Sequence, residues 1–250
     1  TIVVGAPEAR TAEAFGDQSG ATYIFQLVGA TWAQQQKRSY SDHILDPPRE
    51  ARFGIAVALD GSALVIGMPR LSSSLPGSLV TEHGLALVTS VNLDPAIKLT
   101  PESSHGHFGR SIAISGDTLM IGAPREEQAG VVYFYTRMET TWALQQRITG
   151  ISLGVYTVPD YFSEFGAAVA IEGDRAVVGA PFDTQGGATS NGAVYVLSRA
   201  DGAWSLQQQL LASGVETDDD RFGFSVDLVG ETILVGAPGD EDETYNVAEG

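Results

Sequence analysis

The sequence predicts an all-β protein assembled from a repeated four-stranded antiparallel unit. Three observations predict it: a Phe-Gly to Gly-x-Pro core that recurs at nearly constant spacing, a β-branched and aromatic run that follows a glycine in each copy, and a glutamine-rich run that in most copies starts at a tryptophan.

The core sets the period. The segments FGIAVALDGSALVIGMP, FGRSIAISGDTLMIGAP, FGAAVAIEGDRAVVGAP and FGFSVDLVGETILVGAP begin at Phe53, Phe108, Phe165 and Phe222, giving steps of 55, 57 and 57 residues. In each, the Phe stands 14 positions before the Gly of the Gly-x-Pro. Phe53-Gly54 thus answers to Gly67 and Pro69, Phe108-Gly109 to Gly122 and Pro124, Phe165-Gly166 to Gly179 and Pro181, and Phe222-Gly223 to Gly236 and Pro238. The chain opens on TIVVGAP, the second half of a further copy with Gly5 and Pro7, whose Phe-Gly partner would fall before residue 1. The units are therefore a partial one over 1–52, full ones over 53–107, 108–164 and 165–221, and a partial one over 222–250. A large Phe fills space between neighbouring sheets, Gly lets backbones approach closely, and Pro, lacking an N–H, stops the strand. These residues build the fold rather than perform chemistry.

The strands follow in order. The Phe-Gly strand and the Gly-x-Pro strand are joined at Asp60-Gly61-Ser62-Ala63, Ser115-Gly116-Asp117-Thr118, Glu172-Gly173-Asp174-Arg175 and Val229-Gly230-Glu231-Thr232, which read as two-residue hairpins with Gly at positive φ. The third strand follows Gly20, Gly84, Gly130 and Gly192, with runs such as ATYIF, VVYFY and AVYVL. The fourth opens at Trp32, Trp142 and Trp204, the second unit reading VNLDPAIKL instead, and alternates Trp204, Leu206, Gln208 and Leu210 against Ser205, Gln207 and Gln209. Its glutamines suit an outer strand half open to water, whereas IVV, LVI, LMI and ILV suit strands covered on both faces.

Composition bounds the function. With 31 acids against 14 bases the formal charge is −17, which argues against phosphate backbones and anionic lipid, so nucleic acid is excluded as a partner. Cysteine is absent, which removes disulfides, thiolate metal sites and cysteine nucleophiles. No apolar run is long enough for a membrane span. There is no G-x-S-x-G, H-E-x-x-H or G-x-x-x-x-G-K pattern, so no enzyme is expected and no catalytic residue is assigned. No N-x-Ser/Thr sequon and no Arg-Gly-Asp occur, which favours a microbial or unglycosylated source.

Four-stranded sheets repeating along a chain hide their faces by stacking on one another, and a radial stack is a β-propeller. The units resemble FG-GAP repeats, the blades of the integrin α-subunit propeller, and are most similar to the bacterial-type form with a short Gly-Asp turn and a Trp-x-x-Gln strand. The resemblance covers nearly the whole chain and implies a propeller, seven-bladed in typical members, of which about four and a half repeats are here. Gly250 is in phase with the Gly before a third strand, so the sequence resembles a window of a longer chain. An arc of this kind leaves two sheet faces uncovered, unless the last Phe-Gly strand completes the first sheet.

The resemblance also implies calcium, held in an Asp-x-Asp-x-Asp-Gly loop between the first two strands. That loop is absent from this chain, so no metal ligand and no cofactor is assigned, although calcium could sit elsewhere in a full-length chain. Asp117 and Asp174 read as turn residues. Asp218-Asp219-Asp220 and Asp240-Glu241-Asp242-Glu243 read as solvated loops, and His105 with His107 as exposed loop residues.

In an up-and-down sheet the short turns share one end and the long connections the other. Those long connections hold 22 of the 31 acids and seven arginines, a charge of about −15. They also display aromatics, most densely in GISLGVYTVPDYFSE, so the candidate binding residues are Tyr156, Asp160, Tyr161, Phe162, Phe182 and Asp183. The resemblance implies a non-catalytic extracellular, secreted or cell-surface module for adhesion or protein recognition. The alternatives are a carbohydrate-binding, lectin-like propeller and the accessory domain of a larger secreted enzyme, so the expected partner is a protein or a glycan on the long-loop face.

Overall fold

The computed structural model describes residues 1–10, 19–39, 51–70, 83–91, 96–101, 106–153, 163–184, 190–212 and 219–240. Among these there is no α-helix, and the strands form antiparallel sheets in chain order. The first sheet holds β1 (Ile2–Ala6), β2 (Ala21–Val28) and β3 (Thr31–Ser39). The second holds β4 (Val57–Asp60), β5 (Ala63–Met68), β6 (Leu85–Ser90) and β7 (Ile97–Leu99). The third holds β8 (Ser111–Ser115), β9 (Thr118–Ala123), β10 (Val131–Met138) and β11 (Thr141–Thr149), and the fourth holds β12 (Ala168–Glu172), β13 (Arg175–Ala180), β14 (Ala193–Ala200) and β15 (Ala203–Leu210). A fifth sheet is the pair β16 (Ser225–Val229) and β17 (Thr232–Gly236). Each repeat pairs with itself, an arrangement consistent with a propeller, and among the described residues β16 does not join the first sheet.

Local chemistry explains these limits. β5, β9 and β13 end immediately before Pro69, Pro124 and Pro181, which have no N–H to continue the ladder. β8 turns into β9 over two residues, with Gly116 at φ 57°, the conformation that a side chain disfavours.

What joins one sheet to the next is a backbone contact that only glycine allows. A Cβ on Gly122 would stand 2.1 Å from the carbonyl oxygen of Gly166, and one on Gly67 would stand 2.0 Å from that of Gly109. Gly166 itself adopts φ 91°. Beside this contact, single parallel bridges tie Gly20 to Phe53, Gly84 to Phe108 and Gly192 to Phe222. Phe53, Phe108 and Phe165 are wholly buried, whereas Phe222, on the last sheet, is half-buried.

The fourth strand departs from the alternation that its sequence predicts. Leu206 pairs with Leu197 but Gln208 pairs with Val196, so Gln207 is an extra residue in a β-bulge. The bulge moves Gln208 and Leu210 to the face opposite Trp204 and Leu206, because a one-residue slip reverses every later side chain. The same slip occurs at Gln145 in β11 and Gln35 in β3.

The bulge puts partners on opposite faces of one sheet. In the third sheet Tyr133, Arg137 and Trp142 face the second sheet, whereas Phe134 and Gln146 face the fourth. There Phe134 stacks on Trp204 at 4.5 Å and 17°. Gln146 spans the same joint, its Nε2 donating to the Trp204 carbonyl at 2.8 Å and its Oε1 accepting from the Trp204 N–H at 2.7 Å. Among the described residues the end sheets lack such cover: Ile2, Trp32, Phe224 and Leu234 are exposed, Leu234 to 71%.

Candidate functional site

The two ends of the sheets differ in kind. At one end β4–β5, β8–β9, β10–β11, β12–β13, β14–β15 and β16–β17 are each joined by two residues. At the other end the chain crosses from Met68 to Leu85, from Ala123 to Val131 and from Ala180 to Ala193, and from each outer strand to the next Phe-Gly strand. Tyr156, Asp160, Tyr161 and Phe162 lie outside the described residues, as does His105.

Phe182 is half-buried with the Arg221 guanidinium 5.6 Å from its ring centroid, so its ring is partly covered by its own protein. Asp183 faces inward. It is 0% exposed and accepts a short hydrogen bond from the Tyr195 hydroxyl, to which Gln209 Nε2 also donates at 3.0 Å. Glu126 repeats the arrangement one sheet earlier: it is 1% exposed and accepts from the Tyr133 hydroxyl at 2.6 Å and from Arg147 Nη2 at 2.8 Å. Arg147 also reaches Glu127 at 2.6 Å.

Buried carboxylates of this kind set the titration of their partners. Burial and then the hydrogen bond to Glu126 push the Tyr133 phenol well above its ordinary value. Burial, with the Asp183 charge and hydrogen bond, does the same to Tyr195. Burial alone would lower the Arg147 value, but its bonds to Glu126, Tyr133 and Glu127 more than offset this and raise it. These groups lock the connection after the Pro onto the third strand, and all three hold their protons at neutral pH.

Other acids differ from their expected solvation. Asp220 is buried, whereas Asp219 and Asp240 are exposed. His107 is half-buried at φ 56°, and its carbonyl accepts from the Arg110 N–H. The charge displayed at the long-connection end is thus smaller than the tally of acids, since Glu126, Asp183 and Asp220 point inside.

Asp117 and Asp174 are turn residues as the sequence predicts, flanked by Arg137 at 3.4 Å and Arg199 at 2.7 Å. A calcium ion needs six to eight oxygens, and a two-residue turn with one carboxylate already beside a guanidinium does not fit it. Among the described residues no three metal-ligating side chains converge.

A set of contacts at the short-turn end is not evident from the strand pattern. The backbone N–H of Gly116 donates to Asp60 Oδ2 at 2.5 Å, that of Gly173 to Ser115 Oγ at 3.1 Å, and that of Gly230 to Glu172 Oε2 at 2.5 Å. Each turn is thereby tied to the residue before the turn of the preceding sheet. The signal was available as a polar residue before three of the turn glycines, with Val229 breaking the series.

Comparison with known proteins agrees with this geometry. Human (Homo sapiens) integrin alpha-D is similar over 240 residues at 23% identity, covering 87% of this chain and 20% of that relative. The chain thus spans about a fifth of that relative's length. Residues 97–135, 161–197 and 204–249 match the FG-GAP repeat, each match running across strands of the repeating sheets, so the chain carries FG-GAP repeats in three places.

Proposed function

We propose that this chain is a non-catalytic recognition module of an extracellular or cell-surface protein, an integrin-α-like arc of propeller blades that binds a protein ligand on its long-connection end. The observation that carries this reading is the contrast between the ends. One is fixed by two-residue turns hydrogen-bonded from sheet to sheet, and the other bears connections of unequal length on a rigid support. Further copies of the same glycine joint would complete a closed ring, of seven blades if the chain follows typical family members. Tyr161 and Phe162 supply contact area there, and the exposed acids favour a ligand with a basic surface.

The intact protein should be screened in parallel against arrays of extracellular proteins and of glycans. The expected result is capture of a protein ligand that weakens as salt rises and is lost in a Tyr161→Ala, Phe162→Ala variant that keeps its melting temperature. Saccharide binding without a protein ligand replaces this reading with the lectin one. A catalytic domain in the same reading frame, with no ligand bound by the repeats, replaces it with an enzyme's accessory domain.

A further inference from the structure

We propose that Asp201 is a site of covalent modification, where the folded chain rearranges through a cyclic imide with Gly202 to an isoaspartyl link. In this reaction the backbone nitrogen of the next residue attacks the side-chain carbonyl carbon. The new C–N bond closes a five-membered ring, and the carboxyl hydroxyl leaves with the amide proton as water. Solvent water then opens the ring at the main-chain carbonyl, so the chain runs on through the side chain and a free α-carboxylate remains. Asparagine closes the same ring and expels ammonia instead. The attack is fastest when the next residue is glycine, which puts no side chain in its way, and it needs a side chain free to turn and an amide N–H that is not held by an acceptor.

Three dipeptides in the sequence meet the glycine condition: Asp60-Gly61, Asn191-Gly192 and Asp201-Gly202. Intrinsic reactivity ranks Asn191 first, because ammonia leaves a carboxamide more readily at neutral pH than water leaves a carboxylate. The fold reverses that order. Asn191 is 3% exposed, and the Gly192 N–H donates to the Asp183 carbonyl at 3.0 Å, so both reacting groups are held. Asp60 is half-buried, and its Oδ2 accepts from the Gly116 N–H of the next sheet at 2.5 Å. Asp201 and Gly202 instead form the exposed two-residue turn between β14 and β15. Among the described residues neither the Asp201 carboxylate nor the Gly202 N–H makes a hydrogen bond or ion pair.

One contact restrains the turn. Gln145, on the third sheet, donates from Nε2 to the Gly202 carbonyl at 2.6 Å, and its Oε1 accepts from the Thr136 hydroxyl at 3.1 Å. Ring closure swings the Asp201–Gly202 peptide, so the turn must first open locally and release Gln145. The third sheet therefore slows the rearrangement of the fourth. The product, with one atom more in its backbone, cannot return the Gly202 carbonyl to the same place, so the modification removes a bond of this joint. The site lies at the short-turn end and does not rest on the recognition surface proposed above.

The whole protein is held folded at pH 7.4 and 37 °C, sampled over weeks, and mapped by peptide mass spectrometry. Isoaspartate is counted by labelling with an isoaspartyl-specific carboxyl methyltransferase and S-adenosylmethionine. Isoaspartate should form at Asp201 about fivefold faster than at Asp60, the factor set by one hydrogen bond, while Asn191 keeps its carboxamide. In 8 M urea the order should reverse and Asn191 should react first. Gln145→Ala, which trims an exposed side chain, should speed the reaction at Asp201 about fivefold. The proposal is overturned if Asn191 or Asp60 reacts first in the folded protein, if Asp201 also leads in urea, or if Gln145→Ala leaves the rate at Asp201 unchanged. The comparison of sites within the parent decides the matter if Gln145→Ala fails to fold.

Discussion

The second and third sheets meet through Val88 and Trp142, whereas the third and fourth meet through Phe134 and Trp204. Near the glycines the two joints are alike, with a Gly–Gly approach of about 2 Å to a virtual Cβ in both and a buried Phe beside it. Towards the outer strand they diverge, one closed by ring stacking and a bidentate glutamine, the other left as a groove. The repeat therefore fixes its inner half by backbone geometry, where no side chain can be exchanged, and leaves its outer half to side-chain choice.

Truncation at the outer half should break the likeness most. Phe134→Ala removes a buried ring and strands Trp204, at a cost of about 3–5 kcal/mol. Val88→Ala removes two methyls beside an existing groove, at a cost of about 1 kcal/mol. Urea unfolding of both variants measures the difference, and equal losses would mean that the groove is packed as tightly as the stack.

The inner half should answer in the opposite way. Gly67→Ala and Gly122→Ala both drive a methyl into a backbone oxygen of the next sheet, so each should cost about 3 kcal/mol and the two should agree closely. A large disparity in their denaturation midpoints would show that the joints differ at the glycines as well as at the rim.

How much of this was legible follows the same division. The Phe-Gly and Gly-x-Pro spacing placed every inner strand and turn, because backbone contact leaves glycine as the only residue that fits. The outer strand was legible only up to Gln145, Gln207 and Gln35, since one inserted residue reverses the faces and leaves no mark in composition. Glu126 reads as a loop acid in so acidic a chain and Asp183 as a candidate binding residue, yet both are buried. Their signal was a partial one: an acid two residues after Pro124 or Pro181 accompanies Tyr133 or Tyr195, the second repeat has Leu71 and Leu87 at both places, but the first copy has Tyr23 with Ala9. Phe182 was legible as an aromatic of the long-connection end, but its cover by Arg221 was not, because the two are far apart in sequence.

Those phenols make both joints sensitive to alkali. Tyr133 and Tyr195 have values raised above the ordinary phenol by burial and by their carboxylates, so the folded form keeps protons that the unfolded chain loses above about pH 10. Stability should be undiminished below that pH and then fall by up to about 1.4 kcal/mol per pH unit for each phenol. Thermal melts between pH 9 and 11.5 should show this slope halved in Tyr195→Phe. An unchanged slope would assign the alkaline loss to other groups.

The smallest effect belongs to the turn ladder, which crosses both joints without regard to what fills them. Asp60 accepts from the Gly116 N–H across the looser joint, and Ser115 from the Gly173 N–H across the tighter one. Both bonds lie near solvent, where water replaces a lost partner, so Asp60→Ala and Ser115→Ala should each cost only about 0.5–1 kcal/mol. Their local effect should be larger than their global one: amide exchange of Gly116 and of Gly173 should quicken in the respective variant and leave the other turn unchanged. Should Asp60→Ala instead speed exchange along Trp142 and the β10–β11 turn, the ladder would be what holds the groove open, and the looser joint would owe its shape to the turns as well as to Val88 and Ile97.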